Sequence, residues 1–162
     1  MTGLHKMAVV LLAGSLAACS PQAADQAPEP RADAVETHPM SGLEIIPVTV
    51  TTDEGTHVFR SEVADTVDAQ RRGMMFRTEM GADEGMIFTY DDPHIMGFWM
   101  RNTVLPLDII FIDEEGVITN IADGIPYNEE SVYSDREAVA VLELNGGRSE
   151  ELGIEAGDRV TW

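Results

Sequence analysis

Short apolar segments rich in β-branched residues, each ended by a glycine, proline or aspartate turn, fill most of the chain after residue 43. Segments of six to nine residues suit β-strands and are too short for most helices. The predicted strands cover 45–52, 56–64, 85–90, 95–101, 107–112, 117–122 and 138–144, with a last strand that ends at Trp162. Seven or eight short strands with one or two short helices predict a mainly β fold, either a β-sandwich or a closed barrel.

The predicted helices are short and have recognisable ends. Thr66 is a suitable cap for a helix that stops at Gly73, and Ser149 for a single turn that stops at Gly153. The residues at 53–55 predict the turn of a hairpin between the first two strands, and those at 91–94 predict another turn.

The first 18 residues resemble a bacterial lipoprotein signal peptide. Met7 to Ala18 form an apolar run of 12 residues, whereas a membrane-spanning helix needs about 20. Small residues then precede Cys19, the only cysteine of the chain, as the lipoprotein peptidase requires. We therefore expect Cys19 to become the first mature residue and to carry the acyl chains that anchor the protein in the lipid bilayer.

Residues 19–42 are predicted to be a disordered, acidic tether, because they are rich in proline and alanine and contain almost nothing apolar. A single β-rich domain is expected over 43–162. Ser20, directly after the cysteine, favours the outer membrane in a Gram-negative cell. The expected location is therefore the cell envelope, lipid-anchored and facing the periplasm.

The charge balance excludes one class of partner. The chain has 29 acidic and 10 basic residues and a formal net charge of −19, which opposes binding to a nucleic-acid backbone. A single cysteine also excludes an intramolecular disulfide, a cysteine-based zinc site and a Cys-x-x-Cys redox pair. No cofactor is implied by any motif.

Several blocks, in one order, carry a family resemblance. They are 70–77 (QRRGMMFR), 85–88 (GMIF), 98–103 (FWMRNT), 106–112 (PLDIIFI), 141–143 (VLE) and 157–158 (GD). Over about 45–162 the chain resembles the bacterial and archaeal family catalogued as domain of unknown function 192. The resemblance implies a compact, mainly β, commonly exported protein, and it implies no reaction. Arg101 stands where the family commonly has lysine, and Met74 where it commonly has leucine.

The polar residues that interrupt the apolar strands define a candidate ligand site. In a strand, Trp99 and Arg101 point to one side while Phe98 and Met100 point to the other, so one row is expected to be core and the other surface. An aromatic platform beside amide, guanidinium and carboxylate groups suits a small polar ligand such as a sugar or amino-acid derivative. The candidate residues are Arg77, Trp99, Arg101, Asn102, Thr103, Asp108 and Glu143.

Two other interpretations of the acids are open. Asp108 and Glu143 lie in apolar strands, where an unpaired charge is costly, so Arg72, Arg77 or Arg101 are expected to pair with them in a structural network. Alternatively, the two carboxyl groups act as acid and base of a hydrolase directed at cell-wall or sugar substrates.

A third alternative is a copper site. Six methionines fall within residues 74–100 together with His94, and thioether and imidazole ligands suit Cu(I). They are Met74, Met75, Met80, Met86, Met96 and Met100. Methionine is also a common filler of irregular cores.

The leading hypothesis is a non-enzymatic, membrane-anchored module that binds a small polar ligand or an envelope protein.

Overall fold

The computed structural model describes residues 35–162. The predicted signal peptide, Cys19 and the first part of the predicted tether lie outside these residues. Within this range the elements are β1 (Ile45–Thr51), β2 (Thr56–Ala64), α1 (Val67–Arg72), β3 (Glu84–His94), β4 (Gly97–Phe98), β5 (Leu107–Ile112), β6 (Ile118–Gly124), β7 (Val132–Tyr133), β8 (Ala138–Asn145), α2 (Arg148–Leu152) and β9 (Arg159–Thr161).

Seven strands form one mixed sheet in the order β6-β5-β8-β3-β2-β1-β9. In this sheet β2 and β3 run parallel, and the crossover that joins them contains α1. β1 and β2 form the predicted hairpin, with Thr51 opposite Thr56. β8 pairs with β5 on one side and with β3 on the other, so its backbone has a hydrogen-bonded neighbour on both edges. β4 and β7 form a separate two-stranded ribbon.

The sheet curls until its two edges approach each other at one end. Val117, just before β6, pairs with Arg159 of β9, and the Val160 N–H donates to the Gly116 carbonyl at 2.7 Å. Gly116 has a φ of 75°, and a Cβ there would lie 2.7 Å from the Val160 carbonyl oxygen, so this contact requires glycine. The predicted compact, mainly β fold is confirmed. A closed barrel is wrong, because β6 and β9 share no continuous ladder.

Alternating side chains place an apolar core on each face of the sheet. The inner core, inside the curl, contains Val48, Val50, Phe59, Ile87, Ile110, Ile112, Ile118, Ala140, Leu142, Leu144, Ile154 and Val160. The outer core contains Ala64, Met74, Met86, Phe88, Met96, Met100, Leu107, Ile109, Phe111, Ala138 and Val141. Because both faces are covered, β5 is buried at every position, as its sequence, apolar except for Asp108, predicts.

Both short helices form near the predicted positions. The Thr66 side chain accepts from the Ala69 N–H, and α1 ends at Gly73 as predicted. α2 ends at Gly153 as predicted, but its N-cap is Gly147, two residues before Ser149. Among residues 35–162, no helix is both long and apolar enough to cross a bilayer.

The region around residue 95 differs most from the sequence prediction. β3 continues through the predicted turn as far as His94, with an irregular pairing between Thr89 and His94. The predicted strand 95–101 is reduced to the two residues of β4. Its alternation is nevertheless confirmed: Phe98 and Met100 pack in the outer core, whereas Trp99 and Arg101 are exposed.

Ordered contacts begin before residue 43. Thr37 pairs with Glu44, and the His38 and Gly42 backbones hydrogen-bond across the same turn. Glu36 forms an exposed ion pair with Arg60 of β2. The described end of the predicted tether therefore packs against the sheet.

Candidate functional site

Glu143 is a buried carboxyl group without a partner. It lies on β8 between Met86 of β3 and Ile109 of β5, directed into the outer core, and is only 5% exposed. Its Oε2 atom has no hydrogen-bond partner within the described chain. Burial raises the pKa of the Glu143 carboxyl to about 8, so the group is protonated at neutral pH.

The backbone on both sides fixes this position. A Cβ at Gly85 would lie 2.7 Å from the Glu143 carbonyl oxygen, so the close approach of β3 to β8 requires glycine. Tyr90 lies further along β3, and its pKa is raised by burial first and by the Glu143 charge second. Glu143 thus lies where two strands approach closely, with Tyr90 as a second ionisable group nearby.

A cavity of about 40 Å³ ends on Glu143. One water molecule needs a volume of about 10–15 Å³, so the cavity admits a group of a few heavy atoms. It is lined by Gln70, Arg71, Arg72, Gly73, Met74, Met75, Phe88, Phe98, Trp99, Thr103 and Glu143. Segment 70–75, at the end of α1, therefore faces the Trp99–Thr103 loop across the cavity.

The mouth of the cavity is aromatic and cationic. The Trp99 side chain is half exposed, and the Arg101 guanidinium lies 5.5 Å from the centroid of its ring. Arg71 and Arg72 stand on the opposite side, at the C-terminal end of α1. Gln70 ties this helix to the sheet, because its Nε2 donates to the Thr89 carbonyl at 2.8 Å.

The Trp99–Thr103 loop, which lines the cavity, is joined to two neighbouring loops through backbone hydrogen bonds. The Phe76 N–H donates to the Asn102 carbonyl at 2.9 Å, and the Tyr127 N–H donates to the Thr103 carbonyl at 3.1 Å. Phe76, Asn102 and Tyr127 all have positive φ values, of 65°, 56° and 61°. Such a conformation costs about 1–3 kcal/mol for a side chain like Phe or Tyr, and it persists only where neighbours enforce it. Strain of this kind is common beside functional sites.

Asp108 does not belong to this site. It lies opposite Leu144, whereas Glu143 lies opposite Ile109, so the two carboxyl groups point to opposite faces of the sheet. The Asp108 oxygens accept from the Gly147 and Ser149 N–H groups at 2.8 and 2.6 Å, which caps α2. The predicted acid–base pair of Asp108 and Glu143 is therefore wrong, and so is an ion pair of Asp108 with arginine.

Arg77 lies apart as well. Its guanidinium makes two hydrogen bonds to the Glu62 carboxylate, at 2.6 and 2.7 Å, and a third contact to His38 Nε2 at 3.1 Å. Ser41 also donates to Glu62. This buried pair joins the segment after α1 to β2, and His38 and Ser41 connect the segment before β1 to it. It is a structural network with a different acid from the one predicted.

Asn102 contributes backbone rather than side chain. Its carbonyl accepts from Phe76, and its Nδ2 lies 3.9 Å from the Met75 sulfur on the exposed surface. Among the predicted site residues, Trp99, Thr103 and Glu143 share the cavity, with Arg101 over Trp99. Arg71 and Arg72 are not among the ligand-site residues predicted from the sequence. The signal that could have identified them is their place in block 70–77 of the family resemblance.

The methionines mostly pack the core. Met74, Met86, Met96 and Met100 are buried in the outer core, and Met80 packs against it. His94 is exposed and stacks edge-on against Tyr90. In the described range, no three His, Cys, Asp or Glu side chains are grouped to hold a metal ion. Packing in or against the core accounts for five of the six methionines.

Comparisons with known proteins agree with the fold. A crystal structure of a protein of unknown function from Novosphingobium aromaticivorans is 52% identical, with a TM-score of 0.78, over 81% of this chain and 94% of that one. A Sinorhizobium meliloti protein, described as a candidate transcription regulator, is 35% identical, with a TM-score of 0.71, over 74% of this chain and 94% of that one. A search of curated proteins gave no match.

The family itself is settled by the sequence match. Residues 48–162 match the model of domain of unknown function 192 (DUF192), which is described as an uncharacterized ACR. The match spans all nine strands except the first residues of β1, and both sides of the Glu143 cavity. The chain therefore belongs to the DUF192 family.

Proposed function

We propose that the protein is an exported, lipid-anchored binding module, and that a small polar ligand occupies the cavity above Glu143. The observation that carries this proposal is the Glu143 carboxyl group, which is buried without a partner at the base of a cavity open to aromatic and polar side chains. Perturbed buried acids in such concave sites are concentrated at functional positions.

The chemistry of a neutral carboxyl group fits this role. A protonated glutamic acid donates one hydrogen bond and accepts others, so it pairs with a hydroxyl or amide group of a ligand. Leaving a buried polar group unpaired costs about 1–3 kcal/mol, which a ligand would recover on binding. Thr103 lines the same cavity and adds a hydroxyl group.

Trp99 supplies the apolar part of the site. Its ring is large and half exposed, and it lies between the partly buried Phe98 and the buried Met100 in the sequence. Aromatic rings of this kind bind the flat apolar face of a sugar or another ring. The cavity itself admits only a few heavy atoms, so the rest of the ligand would lie across Trp99 at the surface.

Binding is favoured over hydrolysis by the residues that line the cavity. The pKa of Glu143 would suit a general acid, but Glu143 is the only carboxyl group among the lining residues described here. Glycoside hydrolysis commonly uses two carboxyl groups on either side of the bond.

DNA binding, which the description of the S. meliloti relative would suggest, is opposed by the net charge of −19.

The envelope location is part of the proposal. It rests on the signal-peptide pattern before Cys19, which lies outside the described residues. Acylation of Cys19 would anchor the domain without a membrane-spanning helix. A small polar ligand of the envelope, free or as part of a larger molecule, is then the expected target.

The test is thermal denaturation of the full-length chain with a panel of sugars, amino-acid derivatives and cell-wall fragments. A ligand at about 100 times its dissociation constant adds about 2.7 kcal/mol to the unfolding free energy, which raises the midpoint by several degrees. The variant Trp99→Ala should abolish this shift. Trp162→Ala is the matched control, because Trp162 is equally exposed (46% against 45%) but does not line the cavity.

The outcomes separate ligand binding from scaffolding. A shift that survives in Trp162→Ala and is lost in Trp99→Ala supports the proposal. A flat panel for a well-folded wild type overturns the small-ligand proposal and leaves an envelope protein as the partner, to be sought by crosslinking. Equal effects of the two tryptophan variants would also contradict a site at Trp99.

A further inference from the structure

The arginines of this acidic protein are distributed unevenly. Eight arginines lie between residues 35 and 162. Five of them bond to acids or to a carbonyl group: Arg60 to Glu36 and Glu84, Arg77 to Glu62, Arg136 to Asp113, Arg148 to Asp83 and Glu151, and Arg159 to the Glu115 backbone. Arg71, Arg72 and Arg101 have no carboxylate or carbonyl partner among the described residues.

These three arginines surround one place. Arg71 and Arg72 line the Glu143 cavity, and Arg101 covers the Trp99 ring that lines its other side. In a chain with 29 acidic residues, three guanidinium groups without a carboxylate at a single cavity are unexpected unless something else pairs with them. Asp68 lies one turn earlier on α1; it lines a neighbouring groove that Arg72 also lines, but it does not line this cavity.

The cavity mouth is therefore locally cationic. Glu143 is the only acid in the lining, and burial keeps it neutral, so it does not offset the arginines. The planar guanidinium fork binds carboxylate and phosphate groups through two parallel hydrogen bonds. A cationic mouth on an otherwise negative surface also concentrates anions at this point.

We propose that the ligand is an anionic saccharide, a sugar ring that bears a carboxylate or phosphate group. This inference rests on the proposed function and adds the class of ligand. The arginines pair with the anionic group, Trp99 stacks on the apolar face of the ring, and the small cavity takes one hydroxyl or amide substituent onto Glu143 and Thr103.

The test compares matched pairs of sugars by isothermal titration calorimetry on the full-length chain. The pairs are N-acetylmuramic acid with N-acetylglucosamine, glucuronic acid with glucose, and glucose 6-phosphate with glucose. We expect the acidic member of at least one pair to bind tenfold or more tightly than its neutral partner. The pair that responds distinguishes a carboxylate from a phosphate ligand. Raising sodium chloride should weaken binding of the acidic member only.

Charge-neutral variants identify the arginines responsible. The double variant Arg71→Gln/Arg72→Gln should remove the preference for the acidic sugar and leave the thermal midpoint nearly unchanged, because both residues are exposed. Arg136→Gln is the matched control, since Arg136 is an exposed arginine outside the cavity.

Failure of this inference differs from failure of the proposed function. Neutral and acidic sugars that bind equally, with both lost in Trp99→Ala, would overturn the anionic class and leave the binding site standing. No binding by any sugar, together with arginine-dependent binding of a Cys19→Ser chain to phosphatidylglycerol vesicles, would overturn the inference in favour of a membrane surface. No binding by any member of the wider panel would overturn the proposed function itself.

Discussion

Asp108 and Glu143 project from opposite faces of the same two paired strands. In the register of β5 and β8, Ile109 lies opposite Glu143 and Asp108 lies opposite Leu144. Both acids interrupt apolar strands, but their surroundings differ. Asp108 accepts two backbone N–H groups at the start of α2, whereas Glu143 enters the outer core without a partner. One acid therefore caps a helix, and the other has no such structural partner among the described residues.

Removing Asp108 should cost stability without touching the ligand site. Each of its oxygens accepts a backbone N–H, and hydrogen bonds to charged groups contribute about 1.5–3 kcal/mol each. We expect Asp108→Ala, which removes both hydrogen bonds, to lower the unfolding free energy by about 3–6 kcal/mol in urea denaturation. Asp123→Ala is the control. Asp123 lies on β6, opposite Asp108 in the strand register, and is exposed, so its removal should change stability by at most about 0.5 kcal/mol. Similar losses in both variants would contradict the capping role.

Glu143 should make the protein less stable as the pH rises. Burial raises the pKa of Glu143 from 4.5 in the unfolded chain to about 8 in the folded one. Between these values the folded chain holds a proton that the unfolded chain has lost, so the stability present below pH 4.5 is lost as the pH rises towards 8. Each pKa unit corresponds to about 1.4 kcal/mol, so the shift from 4.5 to about 8 lowers the unfolding free energy by about 5 kcal/mol at most between these pH values.

The variant Glu143→Gln isolates this effect. Glutamine has the shape of the neutral acid and does not titrate, while every other ionisable group stays the same. We expect the two unfolding free energies to agree near pH 4.5 and to diverge in favour of the variant up to pH 8, as measured by urea denaturation. Curves that stay parallel over this range would show that Glu143 has an ordinary pKa.

Local features of this fold could be predicted from the sequence. The Thr66 cap and the Gly73 stop each act within a few residues, so the ends of helix α1 could be predicted. The hairpin of β1 and β2 depends in the same way on a short turn. The row of Trp99 and Arg101 opposite Phe98 and Met100 followed from strand alternation, although the strand itself is short. These features depend on neighbours in sequence.

Partners distant in sequence could not be predicted. Asp108 was expected to need an arginine, but the backbone of residues 147 and 149 satisfies it, which depends on where β8 ends beside β5. Arg77 was expected near Asp108, yet it pairs with Glu62 of β2. Glu143 cannot be recognised as unpaired until the register of three strands is known. The site at Glu143 could therefore be identified only once the pairing of β3, β5 and β8 was known.

The buried pair of Arg77 and Glu62 should be sensitive to loss of one member. Both side chains are at least nine-tenths buried, and removing the cation leaves an uncompensated carboxylate, which costs about 3–5 kcal/mol. We expect Arg77→Met to lower the unfolding free energy by this amount. Arg60→Met is the control, because Arg60 forms exposed ion pairs whose loss costs at most about 1 kcal/mol. The double variant Glu62→Gln/Arg77→Met should recover part of the loss, and equal effects of the two single arginine variants would contradict the argument.

Lipidation is tested by the only cysteine of the chain. Cys19→Ser removes the thiol that would accept the acyl chains, so we expect the variant to leave the membrane fraction and appear in the soluble extract. Membrane fractionation with immunoblotting measures the change. A folded variant that remains in the membrane fraction would contradict the anchor, whereas the Glu143 site could still be measured on it.

Glu143→Met separates a functional acid from a structural one. Methionine has a similar length and no hydrogen-bonding requirement, so it removes the cost of burying a polar group that lacks a partner. At pH 7 we expect the variant to be more stable than the wild type by about 1–4 kcal/mol, because an apolar side chain suits this position better than an unpaired acid. The same variant should lose the ligand-induced shift in midpoint, since the group at the base of the cavity is gone. Gains in stability with loss of binding mark a residue that is kept for its chemistry at the expense of the fold. A variant that is less stable than the wild type would instead assign Glu143 to the scaffold.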